Sequence, residues 1–133
     1  MTLTFDYDGR TLVNWTVADA LEAGVPQAII DAALTDQRLA AIKAETRRRI
    51  YAVASSEAQM NMAAATAVIS GKAASARSDA EKATLVGAEA AIGWVAAMRL
   101  TIATLAADPD ADFTADAAWP DVPDEAQDMI ANF

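Results

Sequence analysis

The chain has 133 residues, enough for one domain with a core of moderate size. It carries 19 acidic and 10 basic residues and a net charge of −9, which disfavours nucleic acid as a partner. It contains neither Cys nor His, so thiol chemistry is excluded and the commonest general base and metal ligand are missing. We therefore expect no cofactor, no metal site and no enzymatic activity.

Residues 2–17 predict a short β-hairpin. Apolar and polar residues alternate in both halves, and Asp8 followed by Gly9 is a turn signal. A lone two-stranded hairpin is marginal in water, so it should dock either on the helices of its own chain or on a sheet or groove of another subunit. We assign residues 1–17 as an attachment element. The alternating apolar positions are Leu3, Phe5, Tyr7, Val13, Trp15 and Val17.

Two short helices are predicted next. Thr16 and Asp19 have the spacing of a helix start, and Gly24 would end a helix over residues 17–23. Pro26 suits the first position of a following helix.

The longest predicted element covers residues 35–70. This stretch holds no Pro or Gly and is rich in strong helix formers, so it predicts a single helix about 50 Å long. Thr35 either restarts the helix as an N-cap, or the helix runs through from Pro26. Its expected buried stripe is Leu39, Ile42, Thr46, Arg49 or Ile50, Val53, Met60, Ala64, Ala67 and Val68.

A second long helix is predicted over residues 79–107. Ser78 and Glu81 form a capping-box pattern at its start, after a small polar loop at residues 71–77. Two long helices joined by a short loop make an antiparallel helical hairpin. The fold class is therefore mainly α, with residues 18–107 as a helical hairpin domain.

Residues 108–133 form an acidic C-terminal tail, with eight acidic residues and no basic one. Pro123 predicts a short last helix over residues 124–131, and Trp119 with Pro120 looks like an anchor onto the helical hairpin. Antiparallel pairing of the long helices brings the start of the tail beside Arg47, Arg48 and Arg49. We expect these charges to pair, because no aromatic residues accompany the arginines as nucleic-acid binding would favour.

Two further patterns are rejected as sites. Acidic residues over 108–116 imitate a calcium loop, but Phe113 stands where that loop needs Gly, so a solvated linker explains them better. Residues 85–107 are apolar, yet Glu89 and Arg99 interrupt them, which favours a soluble helix over a membrane span.

Three segments resemble one class of proteins. They are residues 47–62 (RRRIYAVASSEAQMNM), 94–99 (WVAAMR) and 108–123 (DPDADFTADAAWPDVP). The chain is similar, over roughly residues 47–123, to small tail-fibre-region proteins encoded by tailed phages and prophages of alphaproteobacteria. The resemblance is compositional, and it implies a role in the virion or in its assembly without catalysis.

The sequence thus favours a structural protein of a phage tail, a tail-fibre or tail-tip component. We expect a homotrimer that contacts other tail proteins, located in the virion tail and, during assembly, in the host cytoplasm. Neither nucleic acid nor membrane is an expected partner. A tail-fibre assembly chaperone and a head-decoration protein are the alternatives. The expected partner-interface residues are Phe5, Tyr7, Trp15, Arg47, Arg48, Arg49, Trp119 and Phe133.

Overall fold

The computed structural model describes residues 1–133 and is mainly helical, with one antiparallel two-stranded hairpin at its N-terminal end, as predicted. The chain forms two compact units, Met1–Lys43 (the N-terminal unit) and Ala44–Phe133 (the C-terminal unit). In chain order the elements are β1 (Leu3–Tyr7), β2 (Arg10–Trp15), α1 (Val17–Glu22), α2 (Gln27–Val53), α3 (Ser56–Ser70), α4 (Asp79–Ala107) and α5 (Asp124–Ile130). Helix α2 begins in the first unit and ends in the second.

The hairpin of β1 and β2 turns at Asp8 and Gly9, whose φ angles of 50° and 70° are both positive. Such a pair matches the type I′ turn, whose twist suits an antiparallel hairpin. Asn14 also has a positive φ of 62°, and the strand register shifts between Leu3 and Phe5. The alternation predicted for the second strand is therefore wrong at Val13. This residue is 56% exposed, because the irregularity changes which side chains of β2 face the core.

The hairpin docks on helices of its own chain, which was the first of the two predicted possibilities. Leu3 and Phe5 are buried in one cluster with residues of α1 and α2, and the ring of Phe5 meets Trp15 edge to face at 6.4 Å. The amide of Gln37 also donates to the carbonyl of Thr2 at 3.0 Å. The remaining buried members of this core are Ala20, Val25, Ile30 and Ala33.

Helices α1 and α2 follow the local signals. The Thr16 hydroxyl accepts a hydrogen bond from the Asp19 backbone N–H, and α1 ends just before Gly24. Helix α2 starts directly after Pro26 and passes Thr35 without a break. Of the two starts considered for the long helix, the one at Pro26 is therefore confirmed.

The predicted single helix over residues 35–70 is wrong, because the helix breaks between α2 and α3. Ser55 caps α3 by accepting from the backbone N–H of Ala58 at 3.1 Å, and Gln59 donates to the freed carbonyl of Ala54 at 2.7 Å. Ser and an early Glu are typical of a helix start, so the signal was present at residues 55–57. The break resets the helix phase: Met62 and Ile69 are buried, whereas the predicted Met60 and Val68 are exposed.

The reversal between α3 and α4 is held by Arg77. Its guanidinium donates to the carbonyls of Ile69, Ser70 and Lys72, which satisfies acceptors at the end of α3. Helix α4 then starts with the predicted capping box of Ser78 and Glu81 and spans the predicted residues. The two helices contact each other, so the predicted helical hairpin exists with a shorter first arm.

The end of the C-terminal segment folds back on α4, whereas the acidic side chains of residues 108–116 are exposed, as predicted for a solvated linker. Helix α5 follows Pro123, as predicted, and packs on α4 at Gly87. A Cβ atom at Gly87 would lie 2.5 Å from the Met129 Cβ and 2.7 Å from the Glu125 carbonyl oxygen, so only glycine permits this approach. Trp119, Ala126 and Met129 are buried, and this apolar content is what ties an otherwise acidic segment down.

Candidate interaction surface

Arg49 joins the basic cluster to the acidic segment inside the C-terminal unit. Its guanidinium binds Glu45 at 2.7 Å, Asp116 at 2.8 Å and the Thr114 carbonyl at 2.8 Å, and its Cζ lies 5.5 Å from the centre of the Trp119 ring. The side chain is only 14% exposed. The predicted proximity of the two charged regions is thus confirmed for this arginine, within one chain.

The three consecutive arginines point in different directions along α2. Arg48 is exposed and makes a two-point hydrogen bond to Glu45 at 2.6 and 2.7 Å. That bond, followed by the charges of Arg48 and Arg49, lowers the pKa of Glu45, and it raises the pKa of Arg48. Arg47 is exposed and takes part in no ion pair. Arg47 and Arg48 therefore remain accessible to a partner, whereas Arg49 is committed to its own chain.

Two tryptophans, one in α4 and one in the C-terminal segment, donate indole hydrogen bonds to backbone carbonyls of that segment. The indole N–H of Trp94 donates to the Pro120 carbonyl at 3.0 Å, and that of Trp119 donates to the Phe113 carbonyl at 2.8 Å. Both side chains are buried. The prediction that Trp119 and Pro120 anchor this segment on the helical hairpin is confirmed, and Trp119 performs this role inside the chain.

The other predicted interface residues divide between core and surface. Phe5 is buried in the N-terminal core, and Tyr7 and Trp15 are half-buried against the same cluster. Phe133 is 43% exposed at the end of the chain. The aromatic face of the hairpin is therefore covered by α1 and α2, and a role in partner binding stays a prediction for the accessible residues.

Acidic residues 108–116 cap turns of the backbone. The Asp108 carboxylate accepts from the Asp110 N–H, and Asp112 accepts from both the N–H and the hydroxyl of Thr114. The hydrogen bonds from Thr114 lower the pKa of Asp112. No three His, Cys, Asp or Glu side chains are grouped so as to hold a metal ion.

The C-terminal unit has an open apolar groove of about 640 Å³ between α3 and α4. Most of its lining is aliphatic, with Met129 and Ile130 of α5 completing it. Of its polar members, Gln59 is already bonded to Ala54, as described above. The side chains on its two walls include Met62, Ala63, Thr66, Ala88, Ile92 and Val95.

Large apolar side chains stand exposed on both helices beside this groove. On α4 Ile92 is 71% exposed and Leu100 is 75% exposed, and on α3 Met60 and Val68 are comparable. By length and composition, helix α4 is long and apolar enough to cross a membrane. Its most apolar 18-residue window has a mean hydropathy of 1.6, and 17% of that window is buried inside the protein. Such a concentration of exposed apolar residues makes this surface a candidate interaction site.

The exposed side of α4 follows its own regular spacing. Its positions recur at alternating steps of three and four residues, which is the pattern of a helix that meets another helix. This stripe was not predicted from the sequence, although its spacing is visible there. We call these six exposed positions the outer seam: Val86, Glu89, Gly93, Ala96, Leu100 and Ala103.

Comparison with known proteins adds no further assignment to these surfaces. No protein-family model and no curated protein matches the chain. Function is therefore inferred from the accessible groove, the outer seam of α4 and the exposed arginines of α2, together with the resemblance carried by residues 47–123.

Proposed function

We propose that the chain is a non-enzymatic structural protein of a phage tail, a tail-fibre or tail-tip component that acts through protein–protein contacts of its C-terminal unit. The observation that carries the proposal is the exposed apolar surface of α3 and α4 next to the open groove. The resemblance to tail-fibre-region proteins supplies the kind of particle, and residues 47–123 lie within the C-terminal unit.

The chemistry of the groove suits a protein partner. Its walls are mainly aliphatic and small, so they offer contact area and close approach. Arg47 and Arg48 on α2 would add positive charge at an accessible position, where charges steer and orient association more than they strengthen it. Apolar contact area combined with accessible charge is the usual composition of a subunit interface.

The N-terminal unit contributes differently. Its hairpin buries its aromatic face on its own helices, so the hairpin keeps its shape without a partner. The accessible residues there are single side chains such as Val13 and Leu21. We therefore assign the main contact surface to the C-terminal unit. The attachment role that the sequence predicted for residues 1–17 becomes a secondary one.

Mass spectrometry of purified phage particles tests the proposal directly. A structural subunit should be present in a fixed ratio to the other tail proteins. Absence from mature particles, together with recovery on unassembled fibre subunits, would instead identify an assembly chaperone. Presence in a fixed ratio to the capsid protein would identify a head-decoration protein.

A matched pair of variants locates the contact. Leu100 of α4 and Leu21 of α1 are both exposed leucines, so each can be changed to Glu with little effect on folding. We expect Leu100→Glu to lower incorporation into particles severalfold and Leu21→Glu to leave it unchanged. Equal incorporation of the two variants would contradict the assignment to the C-terminal unit.

A further inference from the structure

The two glycines of α4 lie on different faces of the helix and differ in what surrounds them. Gly87 admits α5, since a Cβ atom there would collide with Met129 and Glu125. A Cβ atom at Gly93 would meet nothing within 4 Å. Glycine inside a helix lowers stability relative to alanine, and nothing in the chain itself offsets this at Gly93. A close-packed helix from outside the chain would account for it.

Two exposed charges of α4 are complementary to those of a second copy: Glu89 belongs to the outer seam, and Arg99 lies beside the seam. Glu89 and Arg99 are exposed, take part in no ion pair, and lie ten residues apart, which is about 15 Å along the helix. They therefore cannot pair with each other on one helix. A second α4 laid antiparallel, with a two-fold axis close to Gly93, places Glu89 of each copy beside Arg99 of the other. The same pair forms twice, as a two-fold interface requires.

The same register matches the sizes of the opposing side chains. Seam residues whose numbers sum to 189 then face each other. Val86 lies opposite Ala103, Gly93 opposite Ala96, and Glu89 opposite Leu100 and next to Arg99 of the second copy. A parallel arrangement, including a parallel trimer, instead places Glu89 against Glu89. Like charges directly opposed are unfavourable, so the charge pattern selects the antiparallel pair.

The seam alone offers somewhat less area than a specific interface, and one wall of the groove would add to it. An overlap of residues 82–107 is about 39 Å long and about 10 Å wide, or about 800 Å² for the two copies together. A specific interface buries roughly 1,000 Å² or more. Ala96 of the seam and its neighbours Ile92 and Arg99 also line the groove, so the second helix would also cover one wall of the groove.

We propose that the outer seam of α4 binds the outer seam of a second copy of this chain, antiparallel about a two-fold axis beside Gly93. This inference rests on the proposed function in that it names one partner of the exposed surface. A membrane is the less suitable occupant, because Glu89 and Arg99 would both enter the apolar layer.

Sedimentation of the full-length protein with a charge swap tests the pairing. Glu89→Arg alone and Arg99→Glu alone should each weaken dimer formation about tenfold, because two attractive pairs become repulsive. The double variant restores both pairs and should return within about threefold of the original. Asp128→Arg and Arg10→Glu make the same changes of net charge at exposed positions elsewhere and should have little effect.

Cross-linking tests the orientation independently of affinity. The chain has no cysteine, so Glu89→Cys and Arg99→Cys each introduce a unique thiol. With a short bismaleimide, a mixture of the two variants should give cross-linked dimers between position 89 and position 99. Either variant alone should give few, because identical positions lie about 14–16 Å apart along an antiparallel pair.

Several outcomes would overturn the inference. They are a wild-type monomer at high micromolar concentration, a trimer, a double variant no better than the single ones, or efficient cross-linking of position 89 to itself. Binding of the monomer to vesicles of phosphatidylcholine and phosphatidylglycerol, without dimers, would overturn it in favour of a membrane. These measurements use purified protein. A negative result for the dimer can therefore be distinguished from a negative result for the proposed function, which is absence of the protein from phage particles.

Discussion

The guanidinium of Arg49 is held between the Asp116 carboxylate, at 2.8 Å, and the face of the Trp119 ring, 5.5 Å from its centre. An arginine of α2 is thereby tied to a segment 67 residues further along the chain. The planar guanidinium can bind carboxylate and carbonyl oxygens at its edge while it stacks on an aromatic ring, which lysine cannot do. This contact makes the acidic C-terminal segment part of the folded unit.

Replacing Arg49 by Met should therefore destabilise the C-terminal unit. We expect the free energy of unfolding to fall by about 2 kcal/mol, since hydrogen bonds to charged groups contribute about 1.5–3 kcal/mol each and water compensates in part. Arg47→Met removes an exposed arginine without an ion pair and should change stability by less than about 0.5 kcal/mol. Urea unfolding followed by tryptophan fluorescence measures both, and equal effects would contradict the role assigned to Arg49.

The glycines of α4 predict opposite responses to the same substitution. Gly87→Ala places a methyl group against the backbone of α5 and should cost about 1–3 kcal/mol through overpacking. Gly93→Ala meets no atom of its own chain and should stabilise the monomer by about 0.5–1 kcal/mol. Thermal unfolding at submicromolar protein concentration isolates the monomer. Destabilisation of the monomer by Gly93→Ala would show that an intrachain contact had been missed.

The hairpin predicts a contrast between its two faces. Phe5→Ala should cost about 3 kcal/mol in the N-terminal unit, because the ring is buried and packs on Trp15. Val13→Ala changes an exposed side chain and should have a small effect. Hydrogen exchange of β1 and β2 amides reports the local stability of this unit. Unchanged protection in Phe5→Ala would mean that the hairpin is held by something other than this core.

Acid should destabilise the protein as pH falls through and below the ordinary carboxylate pKa range of an unfolded chain. The hydrogen bond from Lys72, with that from the Ser78 N–H, lowers the pKa of Glu81, and Arg48 lowers that of Glu45. A lowered pKa in the folded state means that stability is fully present above the ordinary value of 4.5 and is lost as pH falls through the folded value. Unfolding free energy should therefore decline below about pH 5.

Glu81→Gln checks this assignment. The variant should be less stable than the wild type at pH 7, and the difference should narrow as pH falls below the ordinary value of 4.5 and the wild-type carboxylate becomes protonated. Glu57→Gln, at an exposed carboxylate without an ion pair, is the control. A difference that stays constant between pH 7 and pH 3 would show that Glu81 acts by shape alone.

Signals that depend on a few neighbouring residues could be read from the sequence. The turn at Asp8 and Gly9, the capping box of Ser78 and the start of α5 after Pro123 all lie where they were predicted. Each depends on backbone conformations and hydrogen bonds within about four residues, which the local sequence specifies. The break at Ser55 is also local, and it was missed because helix propensity was judged over the whole stretch.

The tertiary structure decided what depends on helix phase and on distant contacts. It selected Arg49 among three consecutive arginines, because that position of α2 faces Trp119. It made Gly87 a contact point for α5 and left Gly93 open, although the two glycines look alike in the sequence. It also buried Phe5 in the chain's own core. Which face of a helix or strand is covered follows from the packing of elements far apart in sequence, and neither composition nor spacing specifies that packing.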